Sequence, residues 1–241
     1  METVPFQRFR NRIEYLQQHM QVVDLAITKI SATTRQNHQN GGTILDALEV
    51  NNQRYDRLRH PVNHDARVFN FSRSQNIEHA ISSLYRFFTE YMQGALSEIY
   101  ATNPLVAAGK SPGSLQYAEI IKLGNFDAVA EKIVTSVFRK LENERSTVQL
   151  LDKVLDHTGV NLDPAQKEKA LMHLEMRHLF VHNNGKIDEP FHVRYGHLMT
   201  TNIGDKLPTR FKIANNAIAA VDTMLRDIDT QLLALNFARP R

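Results

Sequence analysis

An arginine and two histidines crowd into the run Arg177-His178-Leu-Phe-Val-His182, with Glu175 just before it and Asn183 just after. Imidazole titrates near neutrality, so it can take or give a proton at working pH. Guanidinium is permanently charged and matches phosphate oxygens in pairs. Side by side, these groups suit proton transfer at a phosphodiester. At 100° per residue, Glu175, His178 and His182 fall on one helical stripe, while Arg177 lies about 140° from His182. One ideal helix would not put arginine and histidine on the same face. A tightened or frayed last turn, or a second copy of the helix facing the first, would bring them together.

The segment that positions these residues has readable ends. Asp163-Pro164-Ala165-Gln166 is a helix start: Asp163 caps, Pro164 suits the first position, and Gln166 can reach back as in a capping box. Gly185 can adopt the left-handed conformation that ends a helix. A helix from about Pro164 to Asn183 is expected. Leu171, Met172, Leu174, Met176, Leu179, Phe180 and Val181 make it apolar on most sides. Its charged groups therefore need partners or an opening to water.

The run Arg177–Asp188 resembles the Arg-x4-6-His motif of the HEPN superfamily, in particular its RiboL-PSP-HEPN branch, and His178 fits the polar position that often follows the arginine there. The resemblance covers roughly residues 126–236. It implies an all-α fold and a metal-independent endoribonuclease that cleaves RNA by 2′-OH attack to a 2′,3′-cyclic phosphate. It also implies a homodimer in which two motifs meet. In that scheme His182 is general base or acid, Arg177 holds the phosphate, and His178 orients the pair or contacts the phosphate. Glu175 and Asn183 are supporting residues. The resemblance further implies toxin-like or defence roles, with an antitoxin or other regulator as a possible partner. Toxins silenced by a nucleotidyltransferase antitoxin tend to carry tyrosine two residues after the histidine; here that residue is Asn184, which argues against an antitoxin of that type. A non-catalytic RNA-binding or interaction module is the alternative.

Other chemistries fit less well. Glu175-x-x-His178 has the spacing of carboxylate-bridged di-iron bundles, but such sites need two of these helices and two further glutamates. Only this one Glu-x-x-His is counted toward such a site, and its arginine opposes a cation, so no metal and no cofactor are expected. Gly-rich phosphate loops, nucleophile elbows and metalloprotease motifs are absent.

The chain has 241 residues, 42% of them hydrophobic, enough for a sizeable core. It has no cysteine, which excludes disulfides and thiolate zinc sites. No apolar run approaches the ~20 residues of a membrane span. No basic-then-apolar segment opens the chain, so a cytoplasmic protein without membrane contact is expected. A net charge of +3 permits nucleic-acid binding without requiring it. Five of the 11 histidines lie between His173 and His197, which marks that region for attention.

Phe6, Phe9, Ile13, Leu16, Met20, Val23, Ile27 and Ile30 step by three and four, which predicts a long helix over about 5–32. A polar loop over 33–42 follows, then a short helix over 43–49. Residues 51–74 interleave Arg54, Arg57, Arg59, Arg67 and Arg73 with Tyr55, Phe69 and Phe71, and Pro61 interrupts them. This stretch is a weak RNA-binding candidate. A solvated loop pinned by its aromatics is the favoured reading, since Asp56 and Asp65 dilute the charge. Further helices are expected over 76–101, 126–143 and from Ser146 to Gly159, with loop over 186–207. A last helix carries a second three-four seam from Phe211 to Leu235. The expected fold is all-α: an up-and-down helical bundle with an additional long N-terminal helix. Residues 1–110 would form an N-terminal part or extension and 111–241 the HEPN-like core, with a segment boundary near 106–114.

Overall fold

The N-terminal seam forms one long helix in the computed structural model, which describes residues 1–37, 42–59, 65–103, 106, 115–129, 131–133, 135 and 147–240. Helix α1 spans Val4–Asn37. Phe6, Phe9, Ile13, Leu16, Met20 and Ile27 are buried along it, as the spacing predicts. A short helix, α2 (Ile44–Ala47), opens with a capping box between Thr43 and Asp46. A 3₁₀ segment, Gln53–Leu58, follows.

Helix α3 (Asp65–Thr102) runs antiparallel to α1. Asn76 donates to the Met20 carbonyl, and Arg12 pairs with Glu90. Pro5 packs where a side chain on Gly94 would sit, 3.0 Å from that position. The helix starts eleven residues before the expected Asn76. Asn70, Ser72, Ser74 and Gln75 blur its periodicity. Tertiary packing overrides this: Phe69 is buried with Ile27 and Ile44, which ties the first turns of α3 to α1 and α2.

Helix α4 (Tyr117–Leu123) buries none of its residues. Of the helix expected over 126–143, residues 126–129 and 131–133 are helical; the remainder lies outside the described residues apart from residue 135, also helical. Most of the expected boundary over 106–114 also lies outside them. Helix α5 (Thr147–Thr158) stops before Gly159, whose φ is 71°. Then come α6 (Pro164–His182), α7 (Glu189–Tyr195) and α8 (Phe211–Ala234).

The described residues contain no strand, only an isolated bridge between Lys186 and Lys206. The molecule is an all-α helical bundle. One core joins Leu84, Phe88 and Leu96 of α3, Leu151 of α5, Leu174 of α6 and Leu225 of α8 with the α1 seam. Residues on both sides of position 110 share it. The two ends of the chain meet inside: the Thr3 amide and hydroxyl both donate to the buried carboxylate of Asp229. Burial pushes that carboxyl above its ordinary range, opposed by the Thr3 and Tyr91 hydrogen bonds. No helix among the described residues is long and apolar enough to cross a membrane.

Candidate functional site

The end of α6 is built to hold its last turn in place. At the other end, the Asp163 carboxylate accepts from the Gln166 amide at 2.8 Å, with Pro164 behind it. Ala170, Leu171, Met172, Leu174, Met176 and Leu179 are buried, which fixes the helix's rotation in the bundle. Beyond His182 the chain turns at once. The Asn183 and Gly185 amides both donate to the Leu179 carbonyl at 2.9 Å. Asn184 and Gly185 take φ of 53° and 71°, so this turn needs the left-handed freedom that Asn and Gly have.

The turn is then tied to a second segment. Leu207 donates to Gly185, Ile187 to Asp205, and Gly204 to Ile187. Ile187 and Leu207 are buried. Asn183 spends its side-chain amide on the Lys186 carbonyl at 2.7 Å, so in this arrangement it shapes the turn.

His178 and His182 come together on the exposed side of this last turn, with ring centroids 4.9 Å apart. Glu175 continues their stripe toward the start of the helix. It lines a cleft of about 810 Å³ with Val148, Leu171, Arg194 and Tyr195. Burial raises the Tyr195 hydroxyl, the Arg194 hydrogen bond opposes this, and the charge of Glu175 adds to the rise.

Arg177 goes elsewhere. Its guanidinium lies 4.8 Å from the centre of the Tyr85 ring on α3. The angular separation read from the sequence explains this: about 140° of helix turns the arginine toward α3, where the negative ring face attracts a cation. Within one chain the structure thus brings the two histidines together and directs the arginine to a neighbouring surface.

The other three histidines of the cluster separate by environment. His173 is buried, and burial pulls its pKa down to about 4, with Lys169 adding to the shift. His197 sits 3.2 Å from Glu168. His192 packs under Gly196.

Of the five arginines in 51–74, Arg59 pairs with Asp56 at 2.9 Å and Arg73 with Asp24 at 3.6 Å. Arg54, Arg57 and Arg67 are exposed. Arg67 and Arg73, with Phe69 and Phe71, stand on α3 and not in a loop. Phe69 is buried while Phe71 is 65% exposed, so the aromatics do not share one surface.

Sequence reading missed α7, inside the stretch expected as loop. Its signal was present: Asp188 caps it, accepting from Phe191 at 2.9 Å, and Pro190 stands in its first turn. It also overlooked a second Glu-x-x-His, Glu189–His192. The count of such motifs therefore does not argue against a di-metal site. Among the described residues no group of three or more His, Asp or Glu converges to hold a metal.

Comparison of the chain with protein-family models, with curated proteins and with solved structures finds no match.

Proposed function

We propose that this protein is a metal-independent, HEPN-like endoribonuclease whose site is the His178–His182 pair with Arg177. The observation that carries the reading is the exposed imidazole pair, 4.9 Å between rings, at the rigidly tied end of α6. Cleavage starts when the ribose 2′-OH attacks the adjacent phosphorus. His182 takes the 2′-OH proton. The bond from phosphorus to the 5′-oxygen breaks, and a second imidazole, in its protonated form, delivers a proton to that oxygen. The products are a 2′,3′-cyclic phosphate and a 5′-hydroxyl. One imidazole cannot fill both roles in a single step, and His178 supplies the second within the same chain.

Arg177 stabilises the charge that builds on the non-bridging oxygens. In one chain it lies over Tyr85, away from the histidines, so a homodimer with facing α6 ends supplies the arginine that a single copy directs elsewhere. An RNA substrate carries with it the expectation of a cytoplasmic protein. With Asn184 in place of a modifiable tyrosine, control by a nucleotidyltransferase antitoxin does not fit, and any regulator acts another way.

The second reading is a non-catalytic RNA-binding or interaction module. The stacking of Arg177 on Tyr85 favours it, because the arginine then serves the helix interface. Cleavage of RNA by wild type, His178→Ala, His182→Ala and Arg177→Ala, each with and without a chelator, separates the two. The ribonuclease reading expects chelator-resistant cleavage that falls ~10²–10⁴-fold in His182→Ala. No cleavage by wild type, or full cleavage by His182→Ala, favours the binding module.

A further inference from the structure

Three arginines on three different helices are held over aromatic rings in a band that crosses the bundle. Tyr85 and Phe87 stand about 200° apart on α3 and so occupy its two flanks. On one flank Arg177 of α6 lies 4.8 Å from the Tyr85 ring centre. On the other, Arg12 of α1 and Arg86 lie 5.4 Å and 5.1 Å from the Phe87 ring centre. Arg86 itself is exposed between the flanks. The band thus runs from α1 across α3 to α6 and ends at the helix turn that carries His178.

The charge of this band is under-compensated. Arg12 pairs with Glu90, but Arg86 and Arg177 make no ion pair among the described residues. In the stretch over 51–74, Arg59 and Arg73 face Asp56 and Asp24, while Arg54, Arg57 and Arg67 are exposed without an ion pair among the described residues; what sets the belt apart is the ring beneath each guanidinium. A guanidinium lying over a ring has lost its freedom without losing its charge. Its free N–H groups and outer face remain open to phosphate oxygens and to nucleobases, which stack on guanidinium planes. Phe87 is only 9% exposed and Tyr85 is half-buried, so the arginines offer more of the contact surface than the rings beneath them.

We propose that this Arg12–Arg86–Arg177 belt is the track along which single-stranded RNA reaches the His178–His182 end of α6. The proposal rests on the ribonuclease reading for its ligand. It assigns the binding surface to α1, α3 and α6 and away from residues 51–74. The belt spans roughly 20 Å, one helix diameter with a guanidinium beyond each flank, so it contacts several nucleotides beyond the scissile phosphate.

Two measurements on the full chain test it. The first is the affinity for a labelled single-stranded oligoribonucleotide as a function of salt. The second is the cleavage of a dinucleotide too short to reach Arg86 and Arg12 from the histidines. Arg86→Glu is expected to weaken oligonucleotide binding ~10-fold or more and to flatten the salt slope by about 0.7 for each phosphate that is no longer neutralised. Dinucleotide cleavage should fall far less than oligonucleotide binding, and the melting temperature by no more than ~4 °C, the cost of losing a partly exposed cation from a ring. Arg86→Lys should restore the salt slope as a point charge but only part of the affinity, because an ammonium offers no plane to the bases. Arg59→Glu, the control in the other arginine-rich stretch, should bind as wild type does.

Wild-type affinity and salt slope in Arg86→Glu would overturn the belt and leave the ribonuclease reading untouched. Loss of affinity in Arg59→Glu but not in Arg86→Glu would move the track to residues 51–74. Polyglutamate competing as well as RNA at equal charge would mark the belt as a surface for acidic protein instead. Undiminished dinucleotide cleavage by His182→Ala sinks the ribonuclease reading alone, since oligonucleotide binding is measured separately.

Discussion

His173 and His182 stand on the same helix and differ by environment alone. His173 faces the core beside Leu174, is buried, and has its pKa pulled down to about 4. His182 stands nine residues further on, exposed and next to His178. Low dielectric disfavours the charged imidazole, so the first is locked neutral and serves packing. The second keeps contact with water. Clustering of histidines in sequence therefore says little about shared chemistry; the side of α6 on which each one falls decides it.

The contrast is broken most sharply by activity. His182→Ala is expected to lose ~10²–10⁴-fold in RNA cleavage while its melting curve stays near wild type. A large loss of stability in that variant would place His182 with His173, as a structural residue. Next in size is the buried side: Leu174→Ala leaves a cavity and should cost ~2–5 kcal/mol in denaturant unfolding. Arg177→Ala, half-buried over Tyr85, is expected to cost much less, on the order of 0.5–1 kcal/mol for a partly exposed cation on a ring. Equal costs in the two variants would turn Arg177 into a packing residue and favour the binding-module reading.

A pH titration sharpens the same comparison. The folded pKa of His173, about 4, lies below its ordinary 6.5. Its neutral form is thus favoured by the fold, and its contribution is fully present above pH 6.5. That contribution is lost as pH falls from 6.5 toward 4, amounting to on the order of 3 kcal/mol. Burial raises the carboxyls of Asp229 and Glu98, so they act in the opposite sense, their protonation on acidification favouring the fold. The informative quantity is therefore the difference between wild type and His173→Leu. Their melting temperatures should diverge in their pH dependence between pH 6.5 and 4, with the variant losing less; parallel curves would show that His173 is not locked neutral.

The smallest expected effect concerns the turn. Gly185→Ala places a Cβ at a φ of 71° and should cost ~1 kcal/mol. If that turn positions the histidine pair, cleavage should fall further than this loss of stability explains.

Much of the architecture was legible because it rests on local rules. The three-four seam from Phe6 to Ile30, the Asp163-Pro164 start and the Gly185 end of α6 each follow from side-chain periodicity or from a cap that satisfies its own backbone. The stripe that pairs His178 with His182 needs only 3.6 residues per turn. The angle that separates Arg177 from them was legible for the same reason.

What only the tertiary structure decided are contacts between elements distant in sequence. The early start of α3 depends on Phe69 finding Ile27 and Ile44. The destination of Arg177 depends on Tyr85 standing across the helix interface. His173 became neutral because α6 turned that face inward. The arginine belt joins residues 12, 86 and 177, which no reading along the chain would group. Periodicity tells which residues share a face of one helix; which face meets which is a property of the packed core, where the burial energy of many residues is settled together.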